Sequence, residues 1–176
     1  MGTQQQLEKD FAASYEQYSD AIFRHCYFRL SDRDIALEIM QETFLRTWDY
    51  LKEGKEIDAL KPFLYRVATN LIIEYYRKKK PVSLDAFLEV ETHDEGMVEG
   101  LRDTESAERL IDQLDGERAM LAFKELSPKY RDVLVWRYVD GLSLKEIAEL
   151  AQERENTVSV RIHRALIELK NTITTQ

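Results

Sequence analysis

An all-helical chain of two small domains joined by an acidic linker is what this sequence predicts, and three observations carry that expectation. Only six glycines and three prolines punctuate 176 residues, too few for the many turns of a β-rich fold. Apolar residues toward both ends of the chain recur every three or four positions, the period of a helix face. Between them, residues 81–119 hold 12 Asp or Glu against three Arg, a local net of −9 with little periodicity. Such a composition buries too little apolar surface to order itself.

The first domain is expected over residues 8–80. Ser31 or Asp32 can cap a helix whose Leu37, Met40, Phe44, Trp48 and Leu51 follow the apolar spacing, and Gly54 and Lys55 mark its end. Pro62 stands where a first helical turn tolerates proline. The helix after it sets Leu64, Ala68, Leu71 and Tyr75 on one side and Arg66, Asn70, Glu74 and Arg77 on another. It runs into Arg77-Lys78-Lys79-Lys80 and stops at Pro81, because the residue before proline resists helical dihedrals.

The linker is expected over 81–118, with a short helix at 105–114 carrying Leu110, Ile111 and Leu114. The second domain, 119–173, is helical and closely punctuated. Ser127-Pro128 opens a helix that ends at Asp140-Gly141. Ser143-Leu-Lys-Glu146 is a capping-box pattern, in which the hydroxyl and the carboxylate each satisfy an orphan amide. A short helix to about Leu150, a few polar residues and a longer helix to about Lys170 then follow, the last with Val158, Ile162, Ala165, Leu166 and Leu169 as its buried face. A short helix, a tight turn and a second helix with a basic outer face make a helix-turn-helix.

Bulk chemistry excludes several classes. No apolar run is long enough to span a bilayer, and Met1 to Phe11 has no basic–apolar–small pattern, so neither membrane insertion nor a secretory signal is expected. The single cysteine, Cys26, cannot form an intrachain disulfide and fits a reducing cytoplasm. The three histidines, His25, His93 and His163, are far apart without metal-ligand spacing. With no phosphate-cradling glycine loop and no nucleophile elbow either, no enzyme, metal or cofactor is expected. The overall charge of −8 argues against nucleic acid until its distribution is considered: the acidic linker accounts for all of it and leaves about +1 elsewhere, with the basic residues clustered.

Two of those clusters suit nucleic acid. Lys61, Arg66, Arg77, Lys78, Lys79 and Lys80 are interleaved with Tyr65, Tyr75 and Tyr76, and Trp48 is a candidate neighbour in space. Rings stack unpaired bases and cations follow phosphates, a combination suited to melting DNA. The competing reading is a tyrosine core with a solvated basic helix end favoured by the macrodipole. Asn70 favours the first reading, because its amide can bond an extruded base edge. The second cluster, Asn156, Thr157, Arg161, His163 and Arg164 on the last helix, offers donors for phosphates and base edges. Arg161 is equally open to being tied to an acidic neighbour inside the fold.

In series these stretches resemble the extracytoplasmic-function (ECF) RNA polymerase sigma factors, group 4 of the sigma-70 family. Ala36 to Trp48 is similar to region 2.2, and Phe63 to Asn70 with Tyr75 to Lys78 is similar to regions 2.3 and 2.4. Leu126 to Leu134, Asp140 to Ala148, Thr157-Val158 and Arg161 to Ala165 resemble region 4. The resemblance implies a cytoplasmic transcription initiation factor that binds core polymerase, at the β′ clamp helices and the β flap, and promoter DNA, and that is held by an anti-sigma factor. It implies that Glu38, Gln41 and Glu42 dock on the clamp helices. It implies that Lys61, Tyr65, Arg66, Asn70, Tyr75, Tyr76, Arg77, Lys78 and Lys79 engage the −10 element and help melt it, with Asn70 at the flipped base. It implies that Arg137, Asn156, Thr157, Ser159, Val160, His163 and Arg164 engage the −35 element.

The sequence departs from the family at the turn of the helix-turn-helix. Gln152 stands where a glycine is usual, Glu153 where an apolar residue is frequent, and Asn156 replaces a second glycine. A looser turn or a longer preceding helix is expected, and Ser159 in place of a basic residue should weaken phosphate contact. Two other classes stay open at this point: a sigma-like module that sequesters a regulator without directing transcription, and an ordinary dimeric helix-turn-helix repressor, which would leave the 34–80 block unexplained.

Overall fold

The computed structural model describes residues 2–79, 109 and 111–174, all of their regular structure being helical. The helices are α1 (Gly2–Leu30), α2 (Arg33–Lys52), α3 (Leu60–Lys79), α4 (Gly116–Glu125), α5 (Pro128–Leu134), α6 (Leu144–Ala151) and α7 (Glu155–Thr174), with a π-helical turn, Val135–Val139, continuing α5. Contacts divide the chain into two compact units, Met1–Tyr76 and Arg77–Gln176. The expected linker lies mostly outside the described residues. Of the short helix expected at 105–114, Arg109 and residues 111–113 are helical. The following helix starts at Gly116, capped by Asp115, a little before the boundary at 119 that composition suggested.

In the first unit Ile22 and Cys26 of α1, Ala36, Ile39, Met40 and Phe44 of α2, and Leu64, Ala68, Leu71 and Ile72 of α3 form the core. Asp32, and not Ser31, caps α2: its Oδ1 accepts the amides of Asp34 and Ile35, both at 3.1 Å. Ser31 is instead the left-handed residue that closes α1, at φ 54°. Of the expected stripe on α2, Met40 and Phe44 are buried and Trp48 and Leu51 half-buried, but Leu37 is 42% exposed; Leu45 is 55% exposed, while Thr43 and Thr47 are buried. Those threonines pose as core residues because each hydroxyl donates to a carbonyl one turn back, Ile39 and Thr43, at 2.7 Å.

A polar cluster pins α1 to α3. Arg29 Nη1 donates to Thr69 Oγ1 at 3.2 Å and lies 3.3 Å from His25 Nε2. An arginine only donates, so the histidine nitrogen accepts. All three residues are buried. Tyr65 packs edge-on against His25, and the Tyr76 hydroxyl donates to the Arg29 carbonyl at 2.7 Å.

The second unit packs Ala122, Phe123, Val133, Leu134, Trp136, Ile147 and Ala148 around Val158, Ile162, Ala165, Leu166 and Leu169 of α7. Arg131 closes α4 by donating to the carbonyls of Phe123, Lys124 and Leu126 at 2.8–3.1 Å, groups a helix end leaves without partners. The capping box of α6 is complete: Glu146 N donates to Ser143 Oγ at 3.2 Å and Ser143 N to the Glu146 carboxylate at 2.8 Å.

The turn after α6 is neither looser nor preceded by a longer helix. It is a tight Schellman turn, with Glu153 N donating to Ala148 O at 2.9 Å and Gln152 N to Glu149 O at 3.3 Å. Gln152 takes the left-handed position at φ 58°, ψ 42°, where a side chain costs about 1 kcal/mol and glycine does not. Gln152→Gly is therefore expected to stabilise the second unit by about 0.5–1 kcal/mol, read as a higher urea midpoint at unchanged slope.

Candidate nucleic-acid interface

Along α3 the residues at 66, 70, 73 and 77 are all exposed, one per turn, which sets Arg66, Asn70, Ile73 and Arg77 in a stripe on the side away from Leu64, Ala68, Leu71 and Ile72. Lys78 and Lys79 continue it as the helix ends. One of the expected strand-binding residues is placed where it cannot take that role, and three others are half-buried. Tyr65 is 2% exposed, so it belongs to the core with His25 and cannot stack on a base. Tyr76 is half-buried with its hydroxyl spent on Arg29, and Tyr75 is half-buried against it, the rings 5.7 Å apart. Lys61 is half-buried in the first turn. Trp48 lies on Phe11, ring centroids 4.9 Å apart, as part of a groove between α1 and α2.

Ile73, 38% exposed in the middle of the donor stripe, is absent from the expected set; the 66–70–73–77 spacing was the signal available. Arg29 is absent from it as well, since no local pattern announces its burial. Glu74, expected on the stripe, is drawn off it by Arg46, which bonds Glu42 at 2.8 Å and reaches Glu74 at 3.4 Å. The hydrogen bond that Arg46 donates to Glu42, with Glu74 adding to it, holds the guanidinium pKa above its ordinary value.

On α2, Glu38 and Gln41 are exposed and Glu42 is half-buried, its carboxylate engaged by Arg46. Leu37, Gln41 and Leu45 stand one turn apart on the same face. Beside them an open cavity of about 360 Å³ is lined by Phe11 and Tyr15 from α1 and by Gln41, Phe44, Leu45 and Trp48 from α2.

In the second unit α6, the Schellman turn and α7 form the helix-turn-helix. Asn156, Thr157, Val160, His163 and Arg164 lie on the side of α7 away from its buried line, with Asn156 exposed and the others half-buried; Ser159 is exposed at the rim. Arg137 is exposed within the π-helical turn and donates from Nη1 to the Leu142 carbonyl at 3.1 Å. Arg161 is the exception in this helix: its Nη2 lies 2.8 and 2.7 Å from the two oxygens of Glu153. Among the described residues no helix is long and apolar enough to cross a membrane, and no cluster of His, Cys, Asp or Glu is arranged to hold a metal ion.

Helical units, with a basic stripe along α3 and a helix-turn-helix formed by α6 and α7, define an architecture shared with known proteins. Sigma-70 region 2 matches residues 14–82 and sigma-70 region 4 matches residues 116–169. The ECF RNA polymerase sigma factor SigW of Bacillus subtilis is 35% identical over 164 residues, covering 88% of this chain and 83% of its own length. The sigma factor SigV of the same species is 26% identical over 144 residues, covering 82% and 79%. Among solved structures, the sigma factor RpoE of Bartonella quintana, in complex with the anti-sigma factor NepR, shares the fold at TM-score 0.66 and 19% identity, covering 94% of this chain and 98% of that one. CnrH, in complex with the cytosolic domain of CnrY, does so at 0.68 and 18%, covering 96% and 90%. The chain belongs to the ECF sigma factors of the sigma-70 family. It is a transcription initiation factor that works with RNA polymerase and recognises promoters, and like the family it is no enzyme.

Proposed function

We propose that the chain divides promoter work between its units: residues 8–80 dock on core polymerase and capture the −10 element as it melts, residues 81–118 connect, and residues 119–173 engage the −35 element. The observation that carries this reading is the exposed stripe Arg66–Asn70–Ile73–Arg77, backed by the buried Arg29–His25–Thr69 cluster and followed by Lys78 and Lys79. Unstacking a base costs a few kcal/mol. A rigid helix presenting an amide between two cations offsets part of that cost, since its donors need no reordering when the base arrives. Tyr75 and Tyr76, half-buried, offer ring edges beside the separated strand, whereas Tyr65 supports the stripe from the core.

Docking on the β′ clamp helices is assigned to Glu38, Gln41 and Glu42 together with the exposed Leu37 and Leu45, a face that joins carboxylates for a basic helical partner to apolar area that binding would bury. Asn156, Thr157, Ser159, Val160, His163 and Arg164, with Arg137, are assigned to the −35 duplex, and the β flap is a further contact of the same half. An anti-sigma factor competing for the apolar face of α2 is part of the same proposal, supported by the fold shared with the sigma factor RpoE, solved in complex with the anti-sigma factor NepR.

Run-off transcription with purified chain and core polymerase on a promoter library tests the whole. Discrete transcripts that share −35 and −10 elements are expected. Core binding without any transcript would overturn the assignment of promoter melting, and absence of core binding would overturn the docking face.

A further inference from the structure

Glu153 stands where it does because of the turn before it. The left-handed Gln152 reverses the chain, and the amide of Glu153 is fixed on the Ala148 carbonyl. Its side chain is thereby turned toward α7, where both carboxylate oxygens meet Arg161 Nη2. In a Schellman turn this position ordinarily makes an apolar contact back to the helix; here it makes a charge-assisted bond, stronger than a neutral one. The arginine is sheltered and the carboxylate faces solvent, their side chains being 13% and 32% exposed. The Arg161 Nε is buried and has no hydrogen-bond partner among the described residues. A guanidinium carries five donor hydrogens, and this one spends few of them where it rests.

Arg161 is one turn from Thr157 and three residues from Arg164, so helical spacing makes it a neighbour of both, and both are assigned above to −35 DNA. We propose that Glu153 is an internal competitor of DNA for Arg161: its carboxylate holds the guanidinium in the place a backbone phosphate would otherwise take, and so sets how strongly the recognition helix grips the −35 duplex. The inference rests on the reading that α7 lies on −35 DNA. Its consequence is a −35 contact that neutralises one phosphate fewer than the cations of α7 allow, with a correspondingly flatter dependence on salt.

The test uses holoenzyme assembled from the full chain and core polymerase, binding a duplex promoter over a range of salt concentrations. Glu153→Gln keeps the shape and removes the charge. It is expected to tighten binding about fivefold and to steepen the slope of log K against log salt by about 0.9, the increment for one added phosphate. Arg161→Ala in the otherwise unchanged chain is expected to leave that slope where it is, and adding it to Glu153→Gln should abolish the gain. An unchanged or flatter slope in Glu153→Gln, with an unchanged melting curve, overturns the proposal. So does a flatter slope in Arg161→Ala alone, since that cation would then already be on the DNA; this second measurement decides the matter even if Glu153→Gln fails to fold. A promoter with a scrambled −35 element separates the two levels. If the unaltered holoenzyme does not discriminate against it, the −35 reading itself fails; if discrimination is intact and the slopes do not move as stated, only the role of Glu153 fails.

Discussion

Replacing Arg77, Lys78 and Lys79 together with alanine is expected to abolish promoter opening while leaving core polymerase binding intact. All three are exposed at the end of α3, beyond the donor stripe. Single strands leaving a melted duplex carry charged phosphates, and a hydrogen bond to a charged group is worth about 1.5–3 kcal/mol net. Three of them amount to a loss of about 100-fold or more in strand capture. The same cations also complement the helix dipole, at about 0.3–1 kcal/mol each when exposed, so a melting curve must accompany the measurement. Permanganate footprinting of the −10 region reads the opening directly, and core binding by competition with a labelled sigma factor reads the docking. Retained opening in a folded variant would make the basic run a solvated helix end. A sigma-like decoy would keep its partner in the same experiment and never open a promoter, with or without the substitutions.

Leu45→Lys is expected to cut the affinity for core polymerase about 100-fold without unfolding the chain. Leu45 is 55% exposed on the face that also carries Leu37 and Gln41, and it borders the groove between α1 and α2. Burying a leucine stabilises an interface by about 1.5–3 kcal/mol. Lysine forfeits that gain and sets a cation against a partner that a face bearing Glu38 and Glu42 is suited to meet as basic; like charges brought together at an interface cost several kcal/mol more. Since the site is solvated in the free chain, circular dichroism should be unchanged. Wild-type affinity for core would remove this face from the docking surface and leave the cavity of about 360 Å³ without a role in polymerase binding.

Much of the molecule could be read from neighbouring residues alone. The capping box at Ser143, Pro128 in the first position of its helix, the buried line of α7 from Val158 to Leu169 and the stop at Gly54 are all local devices, and each is where spacing put it. So was the stripe of Arg66, Asn70 and Arg77. Gly54 and Gly141, at φ 76° and 67°, mark turns that side chains resist. Family membership followed from the same short patterns in series.

Choices between equal local options were different in kind. Ser31 and Asp32 both cap helices, and the closing geometry of α1 gave one the left-handed position and the other the cap. Leu37 and Leu45 belong to the apolar set by type, yet packing turned α2 so that two threonines face the core, because a threonine hydroxyl can be satisfied within its own helix and a leucine can be left for a partner. Tyr65 reads as a stacking ring beside basic residues until His25, some forty positions earlier, packs edge-on against it. Glu153 reads as a defect in the turn until Arg161 meets it across that turn. Local chemistry along the chain was sufficient for helices, caps, turns and family, since those depend on residues within a few positions of each other. Which side chains remain for polymerase and DNA depends on contacts between segments distant in sequence, and these come into being only when the helices pack.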